Sequence, residues 1–225
     1  MSQIEKNTVK ATNQLKDKYI FVHEKENSPI KILFLGNSIT LHGVKEDIGW
    51  YNAWGMAASS EENDYVHLVM SELEKSGISS SFCIGQISSW ETQYQRGSEI
   101  LDTFEEAREF NADIIIMRFI ENCSCAGFDI NVFEDEYKKL IDYFNPNEKA
   151  KVILTTGFWK HPGDSAIIKT GKERNYPCIY LGDLGEDDKM KAIGLFEHSG
   201  VANHPGDLGM RKIADLILNE IKNIL

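Results

Sequence analysis

The sequence of 225 residues predicts one α/β domain built on a doubly wound, five-stranded parallel sheet. Two observations predict this fold class. Five short apolar runs, each bounded by polar or turn residues, are typical of strands that are buried on both faces. Between these runs, apolar residues recur at the i, i+3, i+4 and i+7 spacing of amphipathic helices. Strands and helices that alternate in this way form a parallel sheet covered by helices on both sides.

The predicted strands are the apolar runs 32–35, 81–84, 114–117, 152–155 and 178–181. Three segments show a clear helical face, made by Val66, Val69, Met70 and Leu73, by Phe133, Tyr137, Leu140, Ile141 and Phe144, and by Met210, Ile213, Ile217, Ile221 and Ile224. Residues 1–29 are polar with weak periodicity, and we expect them to form an arm or helix packed on the domain. Residues 30–225 show no internal boundary and are predicted to form that domain.

Composition excludes several classes of function. The net charge of −11 disfavours a nucleic-acid partner, because phosphate binding requires basic patches. No apolar run approaches the length of a membrane span, and the first residues lack the apolar stretch of a signal peptide. We therefore expect a cytoplasmic protein that does not associate with a membrane.

Two further observations bear on cofactors and metals. The first predicted strand is not followed by a glycine-rich phosphate loop, which disfavours a nucleotide or flavin cofactor. Cys123 and Cys125 are too close together for the usual zinc knuckle. The sequence therefore predicts no cofactor and no metal, and it leaves the oligomeric state open.

Ser38 and His204 are the leading candidates for chemistry. Ser38 follows the first predicted strand in Gly36-Asn37-Ser38, and His204 lies in the loop before the last predicted helix. Active residues of parallel sheets gather beyond the carboxyl ends of the strands. A serine hydroxyl needs an adjacent base to become a nucleophile. We predict that these residues are that nucleophile and base, with His198 as the rival base.

Asn122 is the candidate for stabilising a negatively charged intermediate. It follows the third predicted strand, where its side-chain amide could donate a hydrogen bond to the oxyanion of a tetrahedral intermediate. An Asx turn that closes the strand explains the residue equally well.

The order and spacing of these residues resemble the SGNH/GDSL hydrolase family. Gly36-Asn37-Ser38-Ile39 is similar to the first block of that family, Asn122 to the end of its third block, and His204-Pro205 with Gly209 to its fifth. The resemblance covers about 31–225. It implies a flavodoxin-like three-layer α/β/α fold and a carboxylic ester hydrolase, such as an acetylesterase, without a cofactor.

The chain departs from the family pattern at two functional positions. The oxyanion glycine of the second block is replaced by Ser89 in the more natural alignment, with Gly85 as the alternative. The family places an aspartate three residues before the histidine, where this chain has Val201.

Two explanations for the missing acid are open. A backbone carbonyl could orient His204 in a Ser-His dyad, or a carboxylate could come from another position. Glu197 is the leading carboxylate because it shares the loop, and Glu121 and Glu91 are further candidates. The sequence favours the dyad.

The predicted function is therefore hydrolysis of a small acyl ester, most simply an acetyl ester, on a small molecule or a carbohydrate. Trp50, Trp54 and Trp90 follow the first two predicted strands, where they could stack on a sugar ring, although packing in the core explains them as well. The alternative is a carbohydrate-binding protein that keeps the fold with impaired catalysis. Val201 and the altered second block favour that alternative.

Overall fold

A six-stranded sheet with helices on both faces forms the centre of the protein. The computed structural model describes residues 19–225. Along the sheet the strands run in the order β1-β3-β2-β4-β5-β6. They span Ile20–His23 (β1), Ile30–Gly36 (β2), Ser80–Gln86 (β3), Ile114–Arg118 (β4), Lys151–Thr155 (β5) and Cys178–Ile179 (β6). All neighbouring pairs are parallel except β1 and β3, which are antiparallel.

The parallel part of the sheet confirms the predicted fold class, and the number of strands differs by one. Residues 20–23, which the sequence pattern assigns to the N-terminal arm, form the edge strand β1. The pattern misses this strand because only Ile20 of its four residues is buried, so it has no continuous apolar run. The rest of the assigned arm up to residue 18 lies outside the described residues.

The described part of the chain also contains seven α-helices and five 3-10 helices, and the α-helices are numbered here. They are Tyr65–Lys75 (α1), Ser88–Glu91 (α2), Glu105–Glu109 (α3), Ile130–Phe144 (α4), Asp164–Arg174 (α5), Ser199–Ala202 (α6) and Asp207–Ile224 (α7). The three segments with a clear apolar face correspond to α1, α4 and α7. The apolar spacing does not single out α5, because its buried residues include Asp164, Thr170 and Gly171.

The core has two layers, one on each face of the sheet. Alternate residues of a strand point to opposite faces, so Ile32 and Phe34 of β2 pack with α1 and α7, while Leu33 and Leu35 pack with α4 and α5. All four side chains are buried. Burial of β2 on both sides explains its continuous apolar sequence.

The carboxyl ends of the parallel strands lie along one edge of the sheet. The chain leaves β2 at Gly36, β3 at Gln86 and β4 at Arg118, and these three strands are neighbours. Ser38, α2 and Asn122 therefore follow adjacent strand ends. None of the helices in residues 19–225 combines the length and apolar character that crossing a membrane requires.

Candidate active site

Ser38 lies in a tight helical turn at the end of β2. The backbone N–H groups of Thr40 and Leu41 both donate to the carbonyl of Asn37, at 2.9 Å each. The turn requires a glycine at position 36, because a Cβ atom there would lie 1.7 Å from the Thr40 Oγ1 atom. The partly exposed Ser38 side chain is thus held at the edge of the sheet by its local backbone.

His204 contacts the Ser38 hydroxyl across 166 residues of sequence. Its Nε2 atom lies 2.8 Å from Ser38 Oγ, and its Nδ1 atom lies 2.7 Å from the carbonyl oxygen of Gly200. A carbonyl only accepts hydrogen bonds, so Nδ1 carries the proton and the Nε2 lone pair faces the serine hydroxyl. This is the tautomer that a general base needs.

Burial keeps the His204 imidazole neutral. It lowers the pKa of His204 to about 4, and the hydrogen bond to the Gly200 carbonyl opposes part of that effect. The indole of Trp159 stands edge-on to the imidazole, with 5.6 Å between ring centroids. Trp159 is not among the tryptophans that the sequence pattern singles out, although it too follows a predicted strand, 152–155. At neutral pH, His204 is unprotonated and able to accept a proton.

A backbone carbonyl occupies the place of the missing triad acid. Val201, three residues before His204, is 1% exposed and packs in an apolar cluster with Trp50 and Ala192. Glu197 is exposed, and within residues 19–225 the acceptor at His204 Nδ1 is the Gly200 oxygen and not the Glu197 carboxylate. Of the two arrangements that the sequence leaves open, the geometry is that of a Ser-His dyad.

Asn122 is bound by a buried glutamate on α2. Its side-chain Nδ2 donates to Glu91 Oε2 at 2.8 Å, and its backbone N–H donates to Glu91 Oε1 at 3.2 Å. A third, longer contact of 3.3 Å joins Asn122 Nδ2 to Ser88 Oγ at the start of α2. The amide of Asn122 therefore lies between α2 and the turn that follows β4.

A buried polar network connects Asn122 to the serine turn. Asn37 Nδ2 donates to Glu91 Oε1 at 3.0 Å and to Glu121 Oε2 at 2.6 Å. Arg118 pairs with both oxygens of Glu121 and donates to Asn37 Oδ1 at 2.6 Å. Glu121 Oε1 also accepts the Phe158 N–H at 2.7 Å. The network thus fixes Asn37, the residue before Ser38, against the ends of β4 and β5.

The two glutamates of this network have opposite pKa shifts. Burial raises the pKa of Glu91 to about 7, and repulsion by Glu121 adds to the effect. Burial also acts on Glu121, but the Arg118 guanidinium outweighs it and holds the pKa of Glu121 below its usual value. Glu121 is therefore the ionised partner of Arg118, whereas Glu91 changes charge near neutral pH. Neither carboxylate contacts the Nδ1 atom of His204.

The structure separates the two candidates for a second backbone donor. Gly85 lies inside β3, between β1 and β2, where its main chain belongs to the sheet. Ser89 is the second residue of α2, and the first N–H groups of a helix have no acceptor within it. The N–H of the preceding Ser88 is occupied by Gln86 Oε1 at 3.2 Å. The geometry thus favours Ser89 over Gly85 as a donor.

The tryptophans require a correction. Trp50 is 0% exposed and Trp90 is 1% exposed, so neither ring can stack on a sugar. Trp90 packs on Phe119 and Phe133 in the core. Trp54 is partly buried, donates to the Ala58 carbonyl at 3.0 Å, and its role in binding stays a prediction. The sequence shows only that these residues follow strand ends. In the folded protein, the side chains of Trp50 and Trp90 are buried.

A cleft with both polar and apolar lining, the latter including Leu41 and Val44, lies beside the serine turn. Its volume is about 490 Å³, and it is bounded by residues 41–45 on one side and by α2 on the other; the lining includes His42, Lys45, Gln86, Ser88, Ser89, Thr92 and Gln93. One contact connects it to the candidate oxyanion donor, because Ser88 Oγ accepts from the Asn122 amide. His42, also in the lining, makes a small electrostatic contribution to the lowered pKa of His204.

Residues 19–225 hold no group of three or more His, Cys, Asp or Glu side chains arranged for a metal ion. Cys83, Cys123, Cys125 and Cys178 are all free thiols. Burial raises the pKa of Cys123 above its usual value, and the nearby Glu91 and Glu121 add to that shift. Cys123 is also buried in the apolar core, so we expect its thiol to be unreactive.

Comparison with known proteins identifies the fold. No family model matches the chain, and no curated protein matches it. Among solved structures, a lipase/acylhydrolase from Enterococcus faecalis superposes with a TM-score of 0.61 at 18% identity, covering 87% of this chain and 97% of that one.

Two further solved structures give the same result. A psychrotrophic esterase from Pseudoalteromonas sp. has a TM-score of 0.58 at 14% identity, covering 86% of this chain and 97% of its own. An acetylxylan esterase from Geobacillus stearothermophilus has a TM-score of 0.54 at 18% identity, covering 86% and 94%. At these identities the likeness concerns the fold, and the chain has an SGNH/GDSL hydrolase-like fold.

Proposed function

We propose that the protein is a serine esterase of the SGNH type that hydrolyses a small acyl ester, with acetyl esters of carbohydrates as the preferred class. The observation that carries the proposal is the contact between Ser38 Oγ and His204 Nε2 at 2.8 Å, with Nδ1 of the same ring bound to the Gly200 carbonyl. The nucleophile Ser38 is thus hydrogen-bonded to its base His204, and the base is hydrogen-bonded to the Gly200 carbonyl that orients it.

The reaction proceeds in two steps. His204 Nε2 accepts the Ser38 proton while Oγ bonds to the ester carbonyl carbon. The C–O bond to the alcohol then breaks, and the imidazolium gives its proton to the leaving oxygen. A water molecule attacks the acyl-serine next. Its proton passes to His204 and then to Ser38 Oγ as the carboxylic acid leaves.

Three donors are available for the oxyanion. They are the Ser38 N–H, the Asn122 side-chain amide and the Ser89 N–H. The contact from Asn122 Nδ2 to Ser88 Oγ is 3.3 Å long and exposed, so an oxyanion can replace it without breaking the shorter bond to Glu91. Fixed donors of this kind stabilise the tetrahedral intermediate, each by a factor of about 10² to 10³ in rate.

The cleft beside the serine turn supports a polar alcohol as the leaving group. Most of its lining residues carry hydrogen-bonding side chains, which suit sugar hydroxyls. Its volume of about 490 Å³ lies in the usual range for small-molecule sites. The fold neighbour from Geobacillus stearothermophilus is an acetylxylan esterase, which fits the same class of substrate. We assign the alcohol portion of the ester to this cleft.

The central test is the Ser38→Ala variant assayed with 4-nitrophenyl acetate. We expect the kcat/KM to fall by about 10⁶, the loss seen when such a serine is removed from a serine hydrolase. Ser76→Ala, at the exposed end of α1, is the matched control and should hydrolyse at the wild-type rate. Equal rates for wild type and Ser38→Ala would refute the proposal.

A second assay addresses the alcohol portion. Gln93→Ala removes one hydrogen-bonding side chain from the cleft, so we expect the KM for acetylated xylo-oligosaccharide to rise about tenfold. The KM for 4-nitrophenyl acetate should stay within twofold. Asn147→Ala, which lines a surface depression away from the cleft, is the control. A rise in KM that is equal for both substrates would mean that the cleft does not bind the alcohol portion of the ester.

One observation favours the alternative of a binding protein with impaired catalysis. Both hydrogens of the Asn122 amide have acceptors in the free protein, Glu91 and Ser88. A fluorophosphonate probe separates the two functions, because it labels only an activated serine. Labelling of wild type and not of Ser38→Ala supports the esterase. A folded wild-type protein that stays unlabelled while binding an acetylated oligosaccharide supports the binding protein.

A further inference from the structure

Glu91 has no step in the proposed reaction, yet it is the most completely enclosed acid of the site. Its side chain is 0% exposed. It accepts three hydrogen bonds, from Asn37 Nδ2 at 3.0 Å, from the Asn122 N–H at 3.2 Å and from Asn122 Nδ2 at 2.8 Å. Two of the three donors belong to Asn122, one from its backbone and one from its side chain. A buried acid without a function costs stability, which points to a role in the site.

We propose that Glu91 is the positioning residue of the Asn122 oxyanion donor, and that it acts only as the ionised carboxylate. The inference rests on the proposed esterase function and deepens it. An amide group is planar, so fixing one Nδ2 hydrogen on Glu91 Oε2 also fixes the direction of the other. That second hydrogen points towards the exposed contact with Ser88 Oγ, which an oxyanion can take over.

The charge state matters because a carboxylate offers only acceptors. Both carboxylate oxygens of Glu91 accept from Asn122. A proton on either oxygen turns it into a donor that faces an N–H group. One of the two bonds is then lost, and the amide plane is no longer fixed. A donor that is displaced by a fraction of an ångström stabilises the transition state less.

The residues around Glu91 raise its pKa, so that its carboxylate changes charge near neutral pH. Glu121 and Cys123, which both follow β4, are the titratable groups whose charges interact with Glu91. Arg118 pairs with Glu121, and within residues 19–225 the hydrogen bonds to Glu91 come from the uncharged Asn37 and Asn122. The pKa of Glu91 is raised to about 7 by burial and by Glu121, whereas the pKa of His204 is lowered to about 4. Loss of activity on acidification near neutral pH would therefore belong to Glu91.

The test is the pH dependence of kcat between pH 4 and 9, measured for wild type, Glu91→Gln and Glu134→Gln. Wild type should lose activity with a midpoint near pH 7. Glu91→Gln should show a kcat about 10- to 100-fold lower at pH 8, a KM within threefold of wild type, and no change between pH 5 and 8. Glu134 is a paired, nearly buried carboxylate on α4, away from the site. Its variant should follow the wild-type profile.

The double variant Glu91→Gln with Asn122→Ala adds a second measurement. If Glu91 acts through Asn122, the double variant should have the kcat of Asn122→Ala alone, within threefold. Multiplied losses would overturn the inference, as would a wild-type acid limb with its midpoint below pH 5 or a Glu91→Gln profile that matches wild type. A wild type without Ser38-dependent activity would contradict the proposed function instead.

Discussion

The two halves of the candidate site are held in place by different means. On the Ser38 and His204 side, main-chain groups fix the geometry: a helical turn presents the serine, and the Gly200 carbonyl orients the imidazole. On the Asn122 side, side chains fix the geometry, with Glu91 binding the amide and the Arg118–Glu121 pair supporting the network. The first half contains no charged group, and the second contains three.

This difference predicts how each half responds to substitution. A backbone carbonyl stays in place whatever the neighbouring side chains are, provided that the loop keeps its shape. Substitution in a buried polar network costs more stability, because removing one partner leaves the others without hydrogen bonds in a low-dielectric environment. The Asn122 half should therefore be sensitive to charge and pH, while the dyad half, which meets the network at Asn37, should be sensitive mainly to packing.

The largest effect on stability is expected for Arg118→Met. Arg118 is 0% exposed, and its loss leaves Glu121 buried without its cation. Breaking such a pair costs about 3–5 kcal/mol, which urea unfolding at pH 8 would measure. The pKa of Glu121, now lowered by Arg118, would rise through burial. Protonation then removes part of the cost, so the variant should be less destabilised at pH 5 than at pH 8.

The double variant Arg118→Met with Glu121→Gln is the control for that prediction. It removes both charges and should recover part of the lost free energy of unfolding at pH 8. A loss below about 1 kcal/mol for Arg118→Met alone would mean that the pair does not stabilise this half of the site.

Val201→Asp tests the dyad half with a smaller expected effect. It restores an acid at the position three residues before the histidine, but Val201 is 1% exposed in an apolar cluster, and Nδ1 already has the Gly200 carbonyl as its acceptor. We expect a loss of about 3 kcal/mol in the free energy of unfolding at pH 8 and no gain in kcat.

Val201→Asn provides the uncharged match for that variant. The difference between the two gives the cost of the buried charge, which should vanish as pH falls through the raised pKa of the new aspartate. A kcat above the wild-type value for Val201→Asp would show that the loop can bring a carboxylate to Nδ1, and that the dyad half is not held by its backbone.

The sequence predicts well what depends on local pattern. Apolar runs gave the parallel strands, helical spacing gave α1, α4 and α7, and the position after β2 singled out Ser38. The edge strand β1 has too few buried residues to produce such a pattern. The burial of Trp50 and Trp90 depends on packing between distant segments, which residue type does not determine.

The candidate site could be predicted in part for the same reason. Ser38, His204 and Asn122 each follow a recognisable local motif, and the sequence brings forward a backbone carbonyl as one way to orient the histidine. The role of Gly200 itself carries no side-chain signal. The network of Asn37, Glu91 and Glu121 joins three strand ends, so its hydrogen bonds emerge only once the sheet order is known.

The smallest expected effect is that of Glu197→Gln. Glu197 is exposed and lines a surface depression with His198, and His204 Nδ1 is bound to a carbonyl instead. We expect kcat/KM for 4-nitrophenyl acetate to stay within twofold of wild type at every pH from 5 to 9. A loss of tenfold or more would mean that a carboxylate orients His204 during turnover. If Glu197, in the same loop as His204, has no effect while Glu91 on α2 does, nearness in sequence does not determine which carboxylate acts in the site. Burial and hydrogen bonding determine it instead.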